Sequence, residues 1–234
     1  MSVFAPSDGA SGSLQNVLQN AGAVFSLRGG RPTAVHYGSP AGELAVCVSA
    51  VGLLDRSELT KLVIEAPAAQ LNHLTARVAG GTVAPGGALF ADGAWWCGAA
   101  PGRTVVLCEP VVGVRLTERL RAQDVHHVEV TVADRTRDWA AIGLLGRHAG
   151  KVLRALRAYG ESGDPRQVAP FAAGSVAGID AFWLLESDCR ALVVVPDALA
   201  GAAWRAIESA GRPFGISCVG IEAARRYALL ERVQ

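Results

Sequence analysis

Apolar residues recur at helical spacing in some stretches and alternate in others, and the two patterns interleave along the whole chain. Between Ala41 and Val51, Leu44, Cys47, Val48 and Val51 fall at i, i+3, i+4 and i+7, one face of a helix that Gly52 ends. Thr60 to Ile64 alternates as a strand, Pro67 opens a helix over about 68–77, and a Gly/Pro loop occupies 80–87. Short strands are predicted at Ala88 to Phe90, Ala94 to Cys97 and Thr104 to Cys108, with a turn at Gly98 to Gly102 between the last two. Leu116 to Gln123 reads as a helix with Arg and Glu on its wet face.

Val128 to Val132 alternates as a half-buried strand, and Ala140 to Leu145 is a fully buried one, followed by a helix over 148–158. Strands are predicted near 174–187 and 191–195, with Asp197 as the cap of a helix over 199–210. Cys218 to Leu230 is a strand-to-helix step. Upstream, Ser13 is a candidate cap for a helix to about Ala21, and 32–38 reads as extended. Residues 1–12, rich in Ser, Gly, Ala and Pro, are expected to be a disordered tail, leaving 13–234 as one domain divisible into lobes 13–123 and 124–234. The irregular alternation with hairpin-like pairs favours an α+β fold of antiparallel sheets over a doubly wound one. No repeat of solenoid length is present.

Composition narrows the classes. Half of the 234 residues are hydrophobic and 18% are charged, ample for a packed core. The formal net charge of +1 gives no basic footprint for nucleic acid. Five cysteines at wide spacing, without a CxxC pair, argue against a zinc site or a disulfide framework, and no metal is expected. The first residues lack a basic region and a continuous apolar run, so no signal peptide is read. No apolar stretch is long enough to span a bilayer, and a cytoplasmic protein is expected.

Three segments, in order, resemble the glycine-cleavage T-protein (aminomethyltransferase) family. HYGSPAGELAVCVSAVGLLDRSELTKLVIEAPAAQLNHL (36–74) is similar to that family's "GLFD-x-SH-MG" and "V-x-G-x-D-A-x-x-F-L" runs. VEVTVADRTRDWAAIGLLGRHAGKVL (128–153) resembles "V-x-V-x-D-x-T-x-x-x-A-x-I-A-L-Q-G-P-x-A-x-x-V-L". ALVVVPDALAGAAWRAIESAGRPFGISCVGIEAARRYALLE (191–231) resembles "GFE-I-x-V-P-x-x-x-A-x-x-L-W-x-A-L-x-x-A-G" and the terminal "L-R-x-E". The resemblance implies a folate-binding domain with a central pocket, tetrahydrofolate as ligand and, for an enzyme, aminomethyl or methyl transfer in one-carbon metabolism. Full-length T-proteins carry a further β-barrel, and this sequence is expected to correspond to the domain before it. The small γ-type chain of multi-subunit sarcosine oxidases also resembles this domain and lacks the barrel. That likeness implies an alternative, a non-catalytic subunit beside a larger flavoprotein. A diverged enzyme with another substrate in the old pocket is the third reading.

The departures concern the chemistry. The stretch Asp92 to Gly98 matches the family's "E-x-G-G" region without a carboxylate after the glycine, so the acid at the reaction centre is missing and no catalytic residue is assigned. The pterin-pairing glutamate of "GFE" falls near Leu192, which cannot accept N–H bonds from a pterin edge. The "SH" histidine is Glu58, and "L-R-x-E" becomes Ala228-Leu229-Leu230-Glu231. The "K-G-C-Y-x-G-Q-E" signature of the iron–sulfur-repair branch has no counterpart, Cys189 standing in Ser187-Asp188-Cys189-Arg190.

Seven residues are candidates for the ligand pocket. Asp55 and Ser57 match "D-x-S" and either order the pocket or form a turn-and-cap pair. Adjacent Trp95 and Trp96 point to opposite faces of a strand, one into the core and the other free to stack on a planar ligand. Trp183 and Glu186 lie on opposite faces of one strand, and Glu186 is the nearest carboxylate able to stand in at the position of Leu192. Asp134 and Thr136 match "D-x-T" as a turn. His126 and His127 are read as solvated, and His36 and His73 as partners of backbone groups.

Overall fold

The computed structural model describes residues 14–122, 130–156 and 170–231. Two antiparallel sheets form its frame. One runs in the order β10(Phe171–Val176)-β11(Ile179–Ser187)-β12(Arg190–Pro196)-β9(Trp139–Leu145)-β3(Val51–Asp55)-β13(Ile216–Cys218), with β13 alone joining parallel to its neighbour. The other runs β5(Ala88–Ala91)-β6(Ala94–Ala100)-β7(Arg103–Cys108)-β4(Thr60–Glu65)-β8(Thr131–Asp134). A hairpin of β1(Val24–Arg28) and β2(Arg31–His36) stands apart, turned by Gly29 and Gly30, both at positive φ.

The two-residue period of the strands sorts their side chains between three layers. Leu184, Leu192 and Val194 of the six-stranded sheet meet Val63, Val105 and Leu107 of the five-stranded one in a shared inner core. The alternate residues Trp183 and Val193 face outward, against α1(Leu14–Asn20), α5(Ala149–Ala155) and α6(Ala200–Gly211), whose Trp204 is fully buried. Burial of a large apolar side chain contributes about 1.5–3 kcal/mol relative to exposure. Beneath the five-stranded sheet, Leu62, Ile64, Trp96 and Val106 pack on α3(Ala68–Ala79) and α4(Pro110–Ala122). α2(Pro40–Ser49) and α7(Ile221–Glu231) close the end near β3 through Cys47, Leu54, Val219 and Tyr227.

Buried Glu43 of α2 ties this end together. Its Oε1 accepts the Tyr37 N–H and its Oε2 the Gly220 N–H, both at 2.7 Å. Gly220 is obligatory there, because a Cβ would sit 2.0 Å from the Val35 carbonyl oxygen. No described helix is long and apolar enough to cross a membrane.

Most predicted elements are present, with corrections. The helix predicted from Leu116 begins at Pro110: proline suits a first turn, and Gly113 lets the helix lie on Thr60, whose Oγ1 would be 2.3 Å from a Cβ. Val51, read as the last turn of a helix, already belongs to β3. The stretch read near 174–187 is a hairpin of two strands that turns at Ala177 and Gly178. Asp197 makes no side-chain cap; it starts a single 3-10 turn, and its Oδ1 accepts from Arg31 Nη2 at 2.6 Å. The proposed cap Ser13, the histidines His126 and His127, and the tail 1–12 lie outside the described residues.

Candidate functional site

Three residues that face one another across neighbouring strands make a hollow. In the paired register, Gly143 of β9 lies between Leu54 of β3 and Leu192 of β12. With no side chain at the centre of that row, a cavity of about 180 Å³ opens above it, and an added Cβ at Gly143 would stand 3.5 Å from Arg56 Cγ.

Charged side chains from four elements rim this apolar floor. Arg56 enters from the turn after β3, Glu186 and Arg190 from the β11–β12 hairpin, Glu109 from the start of α4, and Arg225 from α7. Arg56 donates from Nε to Glu58 Oε1 at 2.8 Å and from Nη2 to Glu109 Oε1 at 2.6 Å. Arg190 lies 3.9 Å from Glu186 Oε2, donates from Nε to Glu231 Oε2, and sits over the Tyr227 ring at 5.8 Å. Desolvation opposes the Arg56 charge, but Glu58 and Glu109 more than offset it, so its pKa is raised and the guanidinium stays cationic. Burial pushes the Glu186 carboxyl above its ordinary range, against the pull of Arg56 and Arg190.

Of the seven residues named from sequence, Glu186 and Leu192 line this cavity together. Asp55 and Ser57 lie beneath the turn that carries Arg56: the Ser57 N–H donates to Asp55 Oδ1 at 2.9 Å, and the Ala141 N–H donates to Ser57 Oγ at 3.2 Å. They shape the loop and do not line the cavity. Burial pushes the Asp55 carboxyl up to about 6. Lys61, fully buried, braces the same loop by donating to the Ser57 and Leu59 carbonyls, each at 2.8 Å, and desolvation lowers it to about 8.

The tryptophans go elsewhere. Trp183 is buried among the outer helices, on the other face of its strand from Leu184. Trp95 is half-buried against the inner core and packs on Phe90 at 5.0 Å, whereas Trp96 is buried on the α3–α4 side. None of the three borders the cavity. Sequence reading missed Arg56, Gly143 and Arg190. The signal available was the lone glycine in Trp139-Ala140-Ala141-Ile142-Gly143-Leu144-Leu145.

Asp134 and Thr136 form the expected Asx turn, with the Thr136 N–H on Asp134 Oδ1 at 2.8 Å. His36 accepts the Gly38 N–H through Nδ1 at 3.1 Å, and His73 is exposed. Among the described residues no cluster of three or more His, Cys, Asp or Glu could hold a metal ion.

No protein-family profile and no curated protein matches the sequence. Solved structures do match. The glycine cleavage system aminomethyltransferase T from Bartonella henselae superposes with a TM-score of 0.73 over 90% of this chain at 15% identity, and the match spans 59% of that enzyme. A chain of the heterotetrameric sarcosine oxidase from Corynebacterium sp. U-96 superposes with a TM-score of 0.59 over 77% of this chain at 17% identity, and the match spans 95% of that chain. With the two sheets and their helices in place, the chain has the α+β, T-protein-like fold of aminomethyltransferase T.

Proposed function

We propose that this chain is a folate-binding derivative of the aminomethyltransferase fold, serving one-carbon metabolism, in which Glu186 takes the part of the missing pterin carboxylate. One observation carries the reading: Glu186 and Leu192 line the same cavity, with Arg56 and Arg190 beside the carboxylate. A pterin edge offers two adjacent N–H donors, and an ionised carboxylate accepts both. The arginines favour that ionised form, while burial makes it costly until a donor arrives. At about 180 Å³ the cavity is below the usual range for small-molecule sites, about 300–1,000 Å³. It therefore suits the bicyclic head, with the remainder of a tetrahydrofolate leaving past exposed Arg225, which would meet its carboxylates. Tetrahydrofolate would accept the one-carbon unit, and a substituted tetrahydrofolate would donate it; this chain's residues bind and orient the folate, and no catalytic acid is assigned.

Calorimetry with 5-formyltetrahydrofolate tests the reading. Binding should be weakened by roughly tenfold or more in Glu186→Gln, the loss expected when a charged acceptor becomes a neutral one. Absence of heat with the folded wild-type protein refutes it.

A second reading has its own support: the match spans nearly the whole of a sarcosine oxidase chain. In that reading the chain is a non-catalytic γ-type subunit of a larger flavoprotein. It predicts recovery from the native source in a complex carrying flavin absorbance. A monomer that binds folate by itself refutes it.

A further inference from the structure

A second cavity, about 330 Å³, opens on the far side of the five-stranded sheet, between α3, α4 and the β5–β6 hairpin. Its walls are apolar: Val78 of α3, Ala94 and Trp96 of the hairpin, and Val112 and Leu116 of α4. One feature is out of keeping with a mere packing gap. At the rim, Arg115 and Arg119 stand one helical turn apart on α4 and both line the cavity. Arg119 is engaged, donating to Asp92 Oδ2 at 2.7 Å and to the Val78 carbonyl at 2.9 Å. Those bonds tie α4 to the hairpin and to α3. Arg115 has no hydrogen bond or ion pair among the described residues.

We infer that this cleft is a second ligand site, taking a small monocarboxylate with an apolar, planar body. Its volume falls within the range of small-molecule pockets, about 300–1,000 Å³. The free guanidinium presents a fork suited to a carboxylate, and the walls exclude water from a ring. Asp92, already paired with Arg119, disfavours a ligand with a second negative charge. The inference does not depend on folate binding: the floor of Leu54, Gly143 and Leu192 belongs to the other sheet.

Calorimetry with phenylacetate and its neutral analogue phenylacetamide tests it. Phenylacetate is expected to bind the full chain in the millimolar range or tighter, roughly tenfold more tightly than the amide, the margin a charge-assisted contact supplies. Arg115→Gln should bring the acid down to the amide's affinity. Val112→Trp, which fills the cleft from a half-buried position on α4, should abolish both with the melting transition retained. Glu186→Gln should weaken neither. Equal affinity for acid and amide, indifference to Arg115→Gln, or no binding by the folded wild-type protein overturns the inference.

Discussion

Asp55 ends β3 with 4% of its surface exposed, and replacing it by asparagine should stabilise the protein at neutral pH. Desolvation is the main reason its carboxyl is pushed from 3.8 up to about 6, with Glu58 adding to the rise; the Ser57 hydroxyl and N–H oppose it. A carboxyl whose folded pKa lies above its unfolded value binds its proton more tightly when folded. Its contribution to stability is then fully present below about pH 4 and is lost as pH rises through about 6. About two pKa units at about 1.4 kcal/mol each make the ionised group cost about 3 kcal/mol near neutrality. The asparagine side chain would keep the acceptor for the Ser57 N–H and remove the charge, but it presents an N–H₂ where the second carboxylate oxygen stood, costing about 1 kcal/mol. The net gain is about 2 kcal/mol, or about 4–8 °C in Tm for a domain of this size. Thermal unfolding of wild type and Asp55→Asn at matched pH values between about 4 and 8 measures it. The difference should be near zero or slightly negative at the acid end and should grow through the window from 4 to 6. Lys61, lowered from 10.5 to about 8, changes stability only at more alkaline pH, where its contribution is lost as pH falls through about 8. A Tm difference that is flat with pH, or a variant less stable than wild type at neutral pH, would refute the reasoning.

Other consequences can be measured on the same protein. Glu43→Ala leaves the Tyr37 and Gly220 N–H groups without their acceptor and should cost about 2–4 kcal/mol in urea unfolding; a loss within error of zero would mean water replaces both bonds. Arg56→Met strands Glu58, whose side chain is fully buried, and should cost about 3 kcal/mol, whereas Arg56→Met with Glu58→Met should cost less than the single change, because no unpaired charge remains. Additive losses in that cycle would show the pair to be energetically silent. If a ligand draws Glu186 into its ionised form, binding releases a proton. The calorimetric enthalpy of 5-formyltetrahydrofolate at one mildly acidic pH should then differ between phosphate and Bis-Tris in proportion to buffer ionisation heat, and lose that dependence in Glu186→Gln.

The α+β class was legible because the buried strands announce themselves. Ala191 to Val195 and Ala140 to Leu145 are apolar on both faces, as strands sandwiched between two cores must be. β3 was hidden because Val51 completes the helical face of Leu44, Cys47 and Val48, so periodicity alone extends the helix one residue into the sheet. The start of α4 was hidden because Val111, Val112 and Val114 favour strands, and only packing of Gly113 on Thr60 fixes the helix. The tryptophans were placed on opposite faces correctly, but no local pattern says what each face meets. Trp95 meets the inner core and Trp96 the helix side, because β6 lies inside a sheet covered on both faces.

The cavity shows the same limit from the other direction. Glu186 and Leu192 could be placed near each other because β11 and β12 form a hairpin, and hairpin neighbours are close in sequence. Arg56 could not, since what brings it to Glu186 is the pairing of β3 with β9 and of β9 with β12, and that register is not written in any one segment. Once the register is known, Glu58 and Arg56 read as one unit. Where "D-x-S-H" carries a histidine, this chain has Glu58, and its charge is compensated by the arginine in the unspecified position, Arg56, at 2.8 Å. A buried carboxylate at 58 without a cation at 56 would be costly, and a cation at 56 brings Glu109 and Glu186 within its reach. Held by Glu58, the Arg56 guanidinium stands beside the carboxylate that borders the hollow over Gly143. The turn after β3 is thus, in three dimensions, one charged wall of the cavity.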